Sequence, residues 1–482
     1  MAKRRKGVRQ ASPMKSANIT LPPRTREANP VDSSQFSPTP ARKVPASRLT
    51  KANLIFALIG VEGGIAFGIG FLAQPLSDWS DPSLAITALS RIAAMMGTYF
   101  ALVCLVFVAR IPWLEKQAGQ DRLVKWHRKL APYSLYLVFF HVLLVSFGYG
   151  ALDAINAWSE FWRLTLTMGW MLPAFFGFIS MMMVGVTSYK RARSKMKYET
   201  WWQIHLFSYL AIALGFMHQI EMGTMFVNNE AMKMWWISLY VLVFGFIIGF
   251  RIIVPLVRSL KHELRVHSVI RESHDTVSVV MSGRNLSKLD AQGGQFFAWR
   301  FLGGSHWFEA HPYSLSAAPR NDQLRITVKN LGDHSAWLAK VKPGSRVMFE
   351  GPYGVFTAEQ SKAPHAVLIA GGVGITPVRA LLEELPTNVV VDVIWRASAD
   401  QDLVLREEVE ALADWRGATI HYMVGSRKQF PLSPGRLKKT VPHIVHSDVF
   451  LCGPNGLVEE AVASCRELGL KDEHIHDEAF AY

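Results

Sequence analysis

The stretch KWHRKLAPYSLYLVFFHV, residues 125–142, carries a histidine near each end of an apolar run, His127 and His141. A second stretch, WWQIHLFSYLAIALGFMH at 201–218, repeats this arrangement, and the first 261 residues contain four histidines in all. Ligand-capable side chains are costly at membrane depth, so they mark functional sites there. Neutral imidazole is a standard axial ligand of haem iron. The two stretches therefore predict two haems held between two helices, with the other two ligands being His205 and His218.

The alternative is a structural role, in which each histidine ring bonds to backbone groups inside a helix bundle. His127 and His141 lie fourteen residues apart, so at ~100° per residue they fall within about 40° of one helix face. His205 and His218 lie thirteen residues apart and would point about 140° apart on an ideal helix. Haem binding therefore requires the second helix to depart from straight geometry, through a distortion near Gly215 or through a π-type or tightened turn.

Hydropathy predicts about six membrane spans, each near the ~20 residues that a bilayer needs. Lys and Arg concentrate in the N-terminal tail, in the second-to-third and fourth-to-fifth connections, and after the sixth span, which predicts that both termini are cytoplasmic. The third and fifth spans then run in the same direction. His127 is expected to pair with His205 near the inner face, and His141 with His218 near the outer face. The expected spans are 53–73, 89–109, 131–151, 168–188, 201–220 and 235–257.

Composition narrows the remaining alternatives. The chain has 482 residues, a net charge of +14 and three cysteines, with no C-x-x-C pair that would indicate an iron–sulfur centre, a zinc site or a disulfide framework. Residues 1–50 are basic, rich in Pro, Ser and Thr, and without apolar periodicity. They are predicted to form a disordered cytoplasmic tail that lies near anionic lipid, rather than binding nucleic acid or acting as a secretory signal.

From about residue 262 the pattern changes to short alternating apolar runs, such as 277–281 and 324–328, which predict strands of a small barrel. Between them lies HPYSLSAAP, residues 311–319, in which a tyrosine beside a serine offers an aromatic face and hydroxyls to a flavin. After the second run comes LGDHS, residues 331–335, a turn whose backbone N–H groups suit a pyrophosphate. Alone, either motif also fits a generic barrel with surface turns.

A second change follows at about residue 362. The continuous apolar run 366–370 predicts a buried parallel strand, and it leads into GGVGITP, residues 371–377, and a helical pattern. Such glycines let the backbone approach a dinucleotide, and a helix N-terminus favours phosphate. The run 449–454 repeats this order and ends in Cys-Gly-Pro, where a nicotinamide could lie beside Cys452. An isolated cysteine is more often a small buried residue.

Together these motifs resemble one family. HPYSLSAAP, the G-D-H-S turn, GGVGITP and the C-G-P motif, in this order, are similar to a ferredoxin–NADP reductase-like dehydrogenase. With the four-histidine region before it, the chain resembles a bacterial member of the NADPH oxidase and ferric reductase superfamily over about residues 51–482. The resemblance implies a multidomain membrane protein. After the disordered tail (1–50), which lies outside the resemblance, its parts would be a six-helix transmembrane di-haem bundle (51–260), an antiparallel β-barrel FAD domain (261–361) and an α/β parallel-sheet NADPH domain (362–482).

The resemblance also implies site residues. His311, Pro312, Tyr313 and Ser314 would contact FAD, with Gly332, His334 and Ser335 by its pyrophosphate. An aromatic residue near the C-terminus would cover the flavin; we expect Phe480, with Tyr482 as the alternative. The residues expected to hold the nicotinamide nucleotide are Gly371, Gly372, Gly374, Thr376, Pro377, Cys452, Gly453 and Pro454.

A preference for NADPH over NADH is expected from Arg396 and Ser398, which follow the strand at 391–395, and from Arg427, which follows the strand at 421–424. A 2′-phosphate would lie at this position, and arginine pairs well with phosphate. The alternative is that these are ordinary surface charges.

The expected function is that of a transmembrane flavocytochrome of the cytoplasmic membrane. Electrons would pass from cytoplasmic NADPH through FAD and two b-type haems to an acceptor outside, either oxygen, which would give superoxide, or a ferric chelate. Protein side chains would carry out no acid–base chemistry on a substrate. Two alternatives stay open: a cytochrome subunit that donates electrons to a protein partner, which the main hypothesis does not require, and a membrane half that serves only as an anchor.

Overall fold

A computed structural model describes residues 48–480, apart from 197, 228, 304–306, 308 and 321. Most of the predicted basic tail and Tyr482 lie outside the described residues.

The first half of the described chain is helical. Its helices are α1 (Arg48–Leu72), α2 (Pro82–Val108), α3 (Pro112–Ala118), α4 (Gln120–Leu152), α5 (Ala157–Thr167), α6 (Met171–Ser188), α7 (Lys190–Arg193), α8 (Tyr198–Leu214), α9 (Phe216–Met222), α10 (Thr224–Val227), α11 (Glu230–Ile248) and α12 (Val254–His262). A π-helical turn, Gly249–Ile253, joins the last two.

Helix α2 is the central helix of the bundle, because 56% of its most apolar window is buried, against 17% or less in the other long apolar helices. Asp81 caps its N-terminus, since the Asp81 carboxylate accepts hydrogen bonds from the backbone N–H groups of Ser83 and Leu84. Pro82 occupies the first helical position, where no N–H partner is needed. It packs closely on α4 through Gly97, where an added Cβ would lie 3.0 Å from side-chain atoms of α4. Glycine at this contact allows the two backbones to approach.

Five of the described helices are long and apolar enough to cross a membrane: Leu54–Leu72, Pro82–Val108, Arg122–Leu152, Met171–Ser188 and the continuous Glu230–His262. The expected span at 201–220 is not one helix, because α8 ends at Leu214 and α9 begins at Phe216. Gly215 separates them. The predicted interruption between His205 and His218 is therefore present but slight, because Gly215 keeps right-handed helical dihedrals and its N–H bonds to the Ala211 carbonyl at 3.2 Å.

The strands lie in residues 265–480, which we call the soluble half. Its first part is a six-stranded antiparallel sheet with the order β4-β3-β6-β1-β2-β5. Its core is built by alternation, since on β3 every second side chain is buried, with Phe297, Trp299 and Phe301 inside. A single antiparallel bridge from Leu315, just after β4, to Ile326 on β5 links the two edges. The elements are β1 (Arg265–Arg271), β2 (Thr276–Ser282), β3 (Phe296–Leu302), β4 (His311–Ser314), β5 (Gln323–Lys329), β6 (Arg346–Tyr353) and the helix α13 (Asp333–Leu338).

The second part is a five-stranded parallel sheet with the order β11-β10-β7-β8-β9. The expected apolar strand at 366–370 is β7, whose side chains from 366 to 371 are all buried, as in a sheet covered on both faces. The elements are β7 (His365–Gly371), α14 (Ile375–Glu384), β8 (Val390–Ala397), α15 (Arg406–Arg416), β9 (Thr419–Val424), α16 (Pro434–Thr440), β10 (Asp448–Pro454), α17 (Asn455–Glu467) and β11 (Ile475–Phe480).

The antiparallel sheet is docked on one end of the helical bundle through β6. Arg251, in the π-helical turn, lies 3.3 Å from the Glu350 carboxylate, and Arg258 on α12 donates to the Gly351 carbonyl. The Arg110 guanidinium, just after α2, stacks 4.1 Å from the centre of the Tyr353 ring. These contacts place the antiparallel sheet at the end of the bundle where α2 ends and α12 leaves it.

Candidate functional site

The four bundle histidines meet as two pairs. The ring centres of His127 on α4 and His205 on α8 are 6.1 Å apart. Those of His141 on α4 and His218 on α9 are 6.4 Å apart. Cys104, whose carbonyl bonds to His127, lies near the C-terminal end of α2, and Arg110 just beyond that end contacts the antiparallel sheet. The first pair therefore lies toward the antiparallel sheet. We call them the inner and the outer pair.

Helix α2 orients the two histidines of α4. Nδ1 of His127 lies 3.2 Å from the Cys104 carbonyl oxygen, and Nδ1 of His141 lies 3.1 Å from the Ser90 carbonyl oxygen and 2.9 Å from the Ser90 hydroxyl. Because a carbonyl only accepts, each Nδ1 carries the proton and donates it. The lone pair is then on Nε2, the atom that would ligate a metal.

The other two histidines are supported unequally. Nδ1 of His205 lies 3.2 Å from the Ser188 hydroxyl at the end of α6, and the Trp201 indole N–H donates to the same oxygen. Nδ1 of His218 is buried and has no hydrogen-bond partner among the described residues. Three of the four rings thus have a hydrogen-bond partner at Nδ1.

The separation of the rings fits a metal placed between them. An imidazole nitrogen lies ~2 Å from a metal ion that it ligates and the ring centre about 1 Å further, so two rings on opposite sides of one ion have centres about 6 Å apart. Both pairs have this separation. Within the described ranges no group of three or more His, Cys, Asp and Glu could hold an ion. Each pair supplies two facing imidazoles, the ligand type that haem iron takes from protein side chains.

The outer pair lines a cavity of ≈ 260 Å³ with mostly apolar walls. Arg91 also lines it. The Arg91 guanidinium is fixed by hydrogen bonds to the side-chain amide oxygen of Gln74 at 3.0 Å and to the Tyr149 hydroxyl at 2.9 Å. Apolar walls, two facing imidazoles and a fixed cation suit an apolar macrocycle that carries carboxylates.

The predicted flavin residues form a cluster on β4 and α13. The Tyr313 hydroxyl lies 3.1 Å from Nδ1 of His334, and the ring centres of His311 and His334 are 3.7 Å apart. The backbone carbonyl of Tyr313 accepts a hydrogen bond from the Trp299 indole, which fixes the strand. Pro312 is exposed and Ser314 is buried. The cluster presents stacked aromatic rings and a phenol, which suit a planar ring system.

The turn before α13 is more self-contained than the sequence suggested. The Ser335 hydroxyl accepts hydrogen bonds from the backbone N–H groups of Leu331 and Gly332 at 2.9 Å and 3.0 Å. These two N–H groups are therefore engaged within the turn, and they hold it closed.

The predicted nucleotide residues meet at the carboxyl ends of β7 and β10, which are neighbours. The chain continues from β7 to β8 on one side of β7, and β10 lies on the other side of β7. The position between β7 and β10 is therefore the topological switch point, where α/β sheets bind ligands. Gly374 lies directly against the Cys452 carbonyl, and a Cβ at Gly371 would lie 3.2 Å from Pro454 and still closer to Leu457. Gly372 has φ +55°, a conformation that favours glycine.

The other residues around this turn complete it. Thr376 donates its hydroxyl to the Val373 carbonyl at 2.9 Å, and Pro377 lies in the first turn of α14. Gly453 backs onto Gly371, whose Cα would be 3.2 Å from an added Cβ. Cys452 is fully buried, and burial together with the nearby charge of Glu478 raises the pKa of its thiol well above the usual value. The thiol therefore stays protonated, and the Cys452 backbone is what reaches the glycine turn.

The three residues proposed for NADPH selectivity lie at the same edge of the sheet but differ in exposure. Arg396 is buried and donates to the Phe430 carbonyl. Arg427 is exposed, and its guanidinium lies over Gly456 at the start of α17. Ser398 is exposed. Arg427 and Ser398 are the two that a phosphate can approach directly.

Near the C-terminus, β11 pairs with β10 so that Glu478 is beside Cys452 and Phe480 is beside Pro454. The Phe480 backbone is thus next to the nucleotide turn. The aromatic side chain expected to cover the flavin, at Phe480 or Tyr482, lies outside what the structure describes.

Three supporting residues were missed by sequence reasoning: Ser90, Cys104 and Ser188. Ser90 and Cys104 lie fourteen residues apart on α2, the same spacing as the two histidines of α4. Both residues bond to a histidine ring through a backbone carbonyl, which leaves no mark in the sequence. Ser188 offers no comparable pattern.

Comparison with known proteins agrees with this division of the chain. Residues 93–216 match a family described as ferric reductase like transmembrane component, residues 261–357 an FAD-binding domain, and residues 368–463 an oxidoreductase NAD-binding domain. The chain has the architecture of the ferric reductase and NADPH oxidase superfamily. It is accordingly a membrane protein and an NAD(P)H-dependent oxidoreductase, with FAD-binding and NAD-binding domains after the ferric reductase-like region.

Individual relatives resemble the soluble half. Ferredoxin–NADP reductase B of Sorangium cellulosum is 28% identical over 189 residues, which are 35% of this chain and 77% of that protein. The plasma membrane-associated coenzyme Q6 reductase of Saccharomyces cerevisiae is 26% identical over 206 residues, 39% of this chain and 64% of the relative. Among solved structures, the FAD/NAD-binding domain of a Vibrio cholerae nitric oxide dioxygenase is 26% identical with a TM-score of 0.40, covering 46% of this chain and 99% of that domain.

One further relative, an NADPH oxidoreductase of Mycobacterium tuberculosis, is 28% identical over 228 residues, which are 45% of this chain. The chain spans 59% of that protein's length and 64% of the yeast relative's, less than two thirds in both cases.

Proposed function

We propose that this chain is a transmembrane flavocytochrome that moves electrons from cytoplasmic NADPH to an acceptor on the outer side of the cytoplasmic membrane. The observation that carries the proposal is the meeting of four histidines as two facing pairs, with ring centres 6.1 Å and 6.4 Å apart. Fourteen residues separate the two histidines of α4, which places the pairs ~21 Å apart at ~1.5 Å per residue.

In this proposal His127 and His205 hold an inner b-type haem, and His141 and His218 hold an outer one. The carbonyls of Cys104 and Ser90 accept from Nδ1 of His127 and His141, which leaves Nε2 of each for the metal, and the Ser188 hydroxyl bonds to Nδ1 of His205. When bound, FAD accepts a hydride and releases electrons singly, and haem iron carries one electron at a time. The bundle fixes the order and separation of the two levels.

The soluble residues have binding roles. The cluster of His311, Tyr313 and His334 supports the flavin, and the switch point between β7 and β10 holds the nicotinamide nucleotide. Arg427 and Ser398 would recognise a 2′-phosphate, which favours NADPH. Arg396 would support that site through its bond to the loop at Phe430.

The domain boundaries follow from this assignment: a tail at 1–50, the bundle at 51–260, the FAD domain at 261–361 and the NADPH domain at 362–482. Helices α8 and α9 together would make the fifth of six crossings, so that both termini are cytoplasmic under the positive-inside rule. The bridge between Leu315 and Ile326 would close the antiparallel sheet into a barrel. The acceptor would be oxygen or a ferric chelate.

The test uses right-side-out membrane vesicles that contain the full chain and are loaded with NADPH. A membrane-impermeant acceptor added outside should be reduced, and His141→Leu should abolish that reduction while flavin reduction by NADPH continues. His267→Leu, at an exposed histidine on β1, is the control and should behave as the unchanged chain. Reduction seen only after the vesicles are broken would contradict the proposal. Oxygen consumption with and without ferric chelate then identifies the acceptor.

A further inference from the structure

The two sheets of the soluble half are joined by a closed ring of partly buried hydrogen bonds and ion pairs. Arg325 on β5 donates from both terminal nitrogens to the two oxygens of Glu408 on α15, at 2.7 Å and 2.8 Å. Arg379 on α14 donates to Glu408 at 3.0 Å and also pairs with Glu383, one turn further along α14. Glu383 accepts the backbone N–H of Ala318 at 2.9 Å, which returns the ring to the antiparallel sheet.

Ser316 closes the ring. Its hydroxyl accepts from Nε of Arg325 at 3.1 Å, and its carbonyl accepts from a terminal nitrogen of Arg325 at 2.8 Å. Ser316 and Ala318 follow directly after β4, which carries the flavin cluster, and α14 follows directly after the glycine turn of the nucleotide site. The ring therefore connects the segment after the flavin strand, at Ser316 and Ala318, with the helix after the nucleotide turn, at Arg379 and Glu383.

We propose that this ring, Arg325–Glu408–Arg379–Glu383, is a positioning device that fixes the nucleotide turn relative to the flavin strand, with Glu408 as its central residue. The inference rests on the proposed function. It deepens that function, because it assigns a role in aligning hydride transfer to residues that lie outside both proposed ligand sites. In that step a hydride, two electrons with one proton, leaves the reduced nicotinamide, which becomes NADP⁺, and is taken up by oxidised flavin.

The charge and burial of the ring favour alignment over general stabilisation. Burial alone would raise the pKa of Glu408, but hydrogen bonds from Arg325 and the charges of Arg325 and Arg379 lower it to about 2, so the carboxylate is ionised at neutral pH. Buried ion pairs add little net stability, because desolvation offsets their attraction, and their best-attested use is to specify one arrangement. Each sheet already has a large apolar core of its own.

A second contact beside the ring constrains the same helix. The backbone N–H of Gly293, in the loop before β3, donates to the Glu384 carboxylate at 2.7 Å. An added Cβ at Gly293 would lie 2.6 Å from the Ala380 carbonyl of α14, so the loop and the helix are in close contact. Helix α14 is thus held against the antiparallel sheet on neighbouring turns, and its N-terminal glycine turn cannot shift independently.

The test is Glu408→Gln in the purified full chain with FAD bound. Reduction of the flavin by NADPH, followed by stopped-flow absorbance, should have a limiting rate at least ~10-fold lower, since a misplacement of about 1 Å can lower a rate about 100-fold. The NADPH concentration for half-maximal rate should change less than the rate does. Hydrogen exchange of the backbone at 316–320 should become faster, because the ring no longer holds that segment.

Glu410→Gln is the matched control. Glu410 lies on the same helix and pairs with Arg406, but at an exposed position, with 40% of its side chain accessible. This variant should match the unchanged chain in both rate and exchange. Arg325→Lys is a second variant in case Glu408→Gln does not fold. It keeps the positive charge and loses the two-pronged contact, so it should show a smaller loss of the same kind.

The outcomes separate the two claims. If the unchanged chain does not transfer hydride from NADPH to flavin, the proposed function fails. If it does, and Glu408→Gln matches Glu410→Gln in rate and exchange, the positioning role is overturned while the function stands. A loss confined to NADPH affinity, with an unchanged limiting rate, also overturns it.

Discussion

The membrane half and the soluble half use buried polar groups in opposite ways. In the bundle the groups that support the histidine rings are neutral, since a carbonyl or hydroxyl of Ser90, Cys104 and Ser188 each bonds to one ring. In the soluble half the groups that join the two sheets are charged and bond to one another, as Arg325, Glu408 and Arg379 do. Neutral support orients the histidine rings through Nδ1. Charged support fixes the relative position of two separately folded sheets.

The largest effect should come from the histidines themselves. His127→Leu and His218→Leu should each lower the haem content of the purified chain from about two to about one per FAD, because each removes one axial ligand of one pair. Haem extracted per FAD, with optical spectra of the haem that remains, measures this. His267→Leu serves again as the control. Loss of all haem in either variant would mean that the two levels do not bind independently.

A smaller, pH-dependent effect is expected from Glu384. Burial raises the pKa of this carboxyl from 4.5 to about 7, with further contributions from the nearby carboxylates of Glu383 and Glu359, against the Gly293 N–H bond that lowers it. Because the pKa is raised in the folded state, the stabilisation is complete below pH 4.5 and is lost as the pH rises through about 7. At most about 3 kcal/mol is involved.

Glu384→Gln tests this, since glutamine can accept the same N–H bond but stays neutral. Melting temperatures of the full chain in detergent should show the unchanged chain losing stability, relative to the variant, between pH 5 and pH 8. A difference that does not depend on pH would show that Glu384 does not titrate in this range.

The next effect concerns nucleotide choice. Arg427→Ala should lower kcat/KM for NADPH roughly tenfold or more and leave NADH unaffected, because a charged hydrogen bond to phosphate contributes ~1.5–3 kcal/mol. Lys428→Ala, at the adjacent exposed cation, is the control. Equal kcat/KM for the two nucleotides in the unchanged chain, and no change in Arg427→Ala, would refute the role of Arg427.

The smallest effect tests the hydrogen bond between the Ser188 hydroxyl and Nδ1 of His205. A hydrogen bond from Nδ1 makes an imidazole a stronger donor to ferric iron, so its loss raises the reduction potential. Ser188→Ala should raise the potential of the inner haem by up to ~40 mV, the equivalent of ~1 kcal/mol, in a spectroelectrochemical titration. Ser180→Ala, whose hydroxyl bonds only to Phe176 within α6, should leave both potentials unchanged. A shift of equal size in both variants would contradict the role of Ser188.

Local patterns were sufficient for several elements. The apolar run at 366–370 predicted β7, the alternating runs at 277–281 and 324–328 predicted β2 and β5, and the thirteen-residue histidine spacing predicted the interruption that the structure has at Gly215. These features depend on residues close together in the chain. The count of six spans was less secure, because the same interruption leaves α8 and α9 each too short to qualify alone as a span.

Contacts between distant segments could not be predicted. Arg325 and Glu408 are 83 residues apart, and Ser90 and His141 are 51 residues apart, so neither pair leaves a periodic signal. The engagement of the Gly332 N–H by Ser335 is local, but a turn motif does not say whether its N–H groups bond inward or toward a ligand. These contacts depend on how helices and sheets pack.

The number of haems bound per FAD in the purified full chain tests the central claim most directly. The two facing histidine pairs predict about two low-spin haems per FAD, each with two imidazole ligands in its optical and electron paramagnetic resonance spectra. A ratio near one would contradict the two-level arrangement. A chain that binds FAD and oxidises NADPH but contains no haem would show that the bundle is only an anchor.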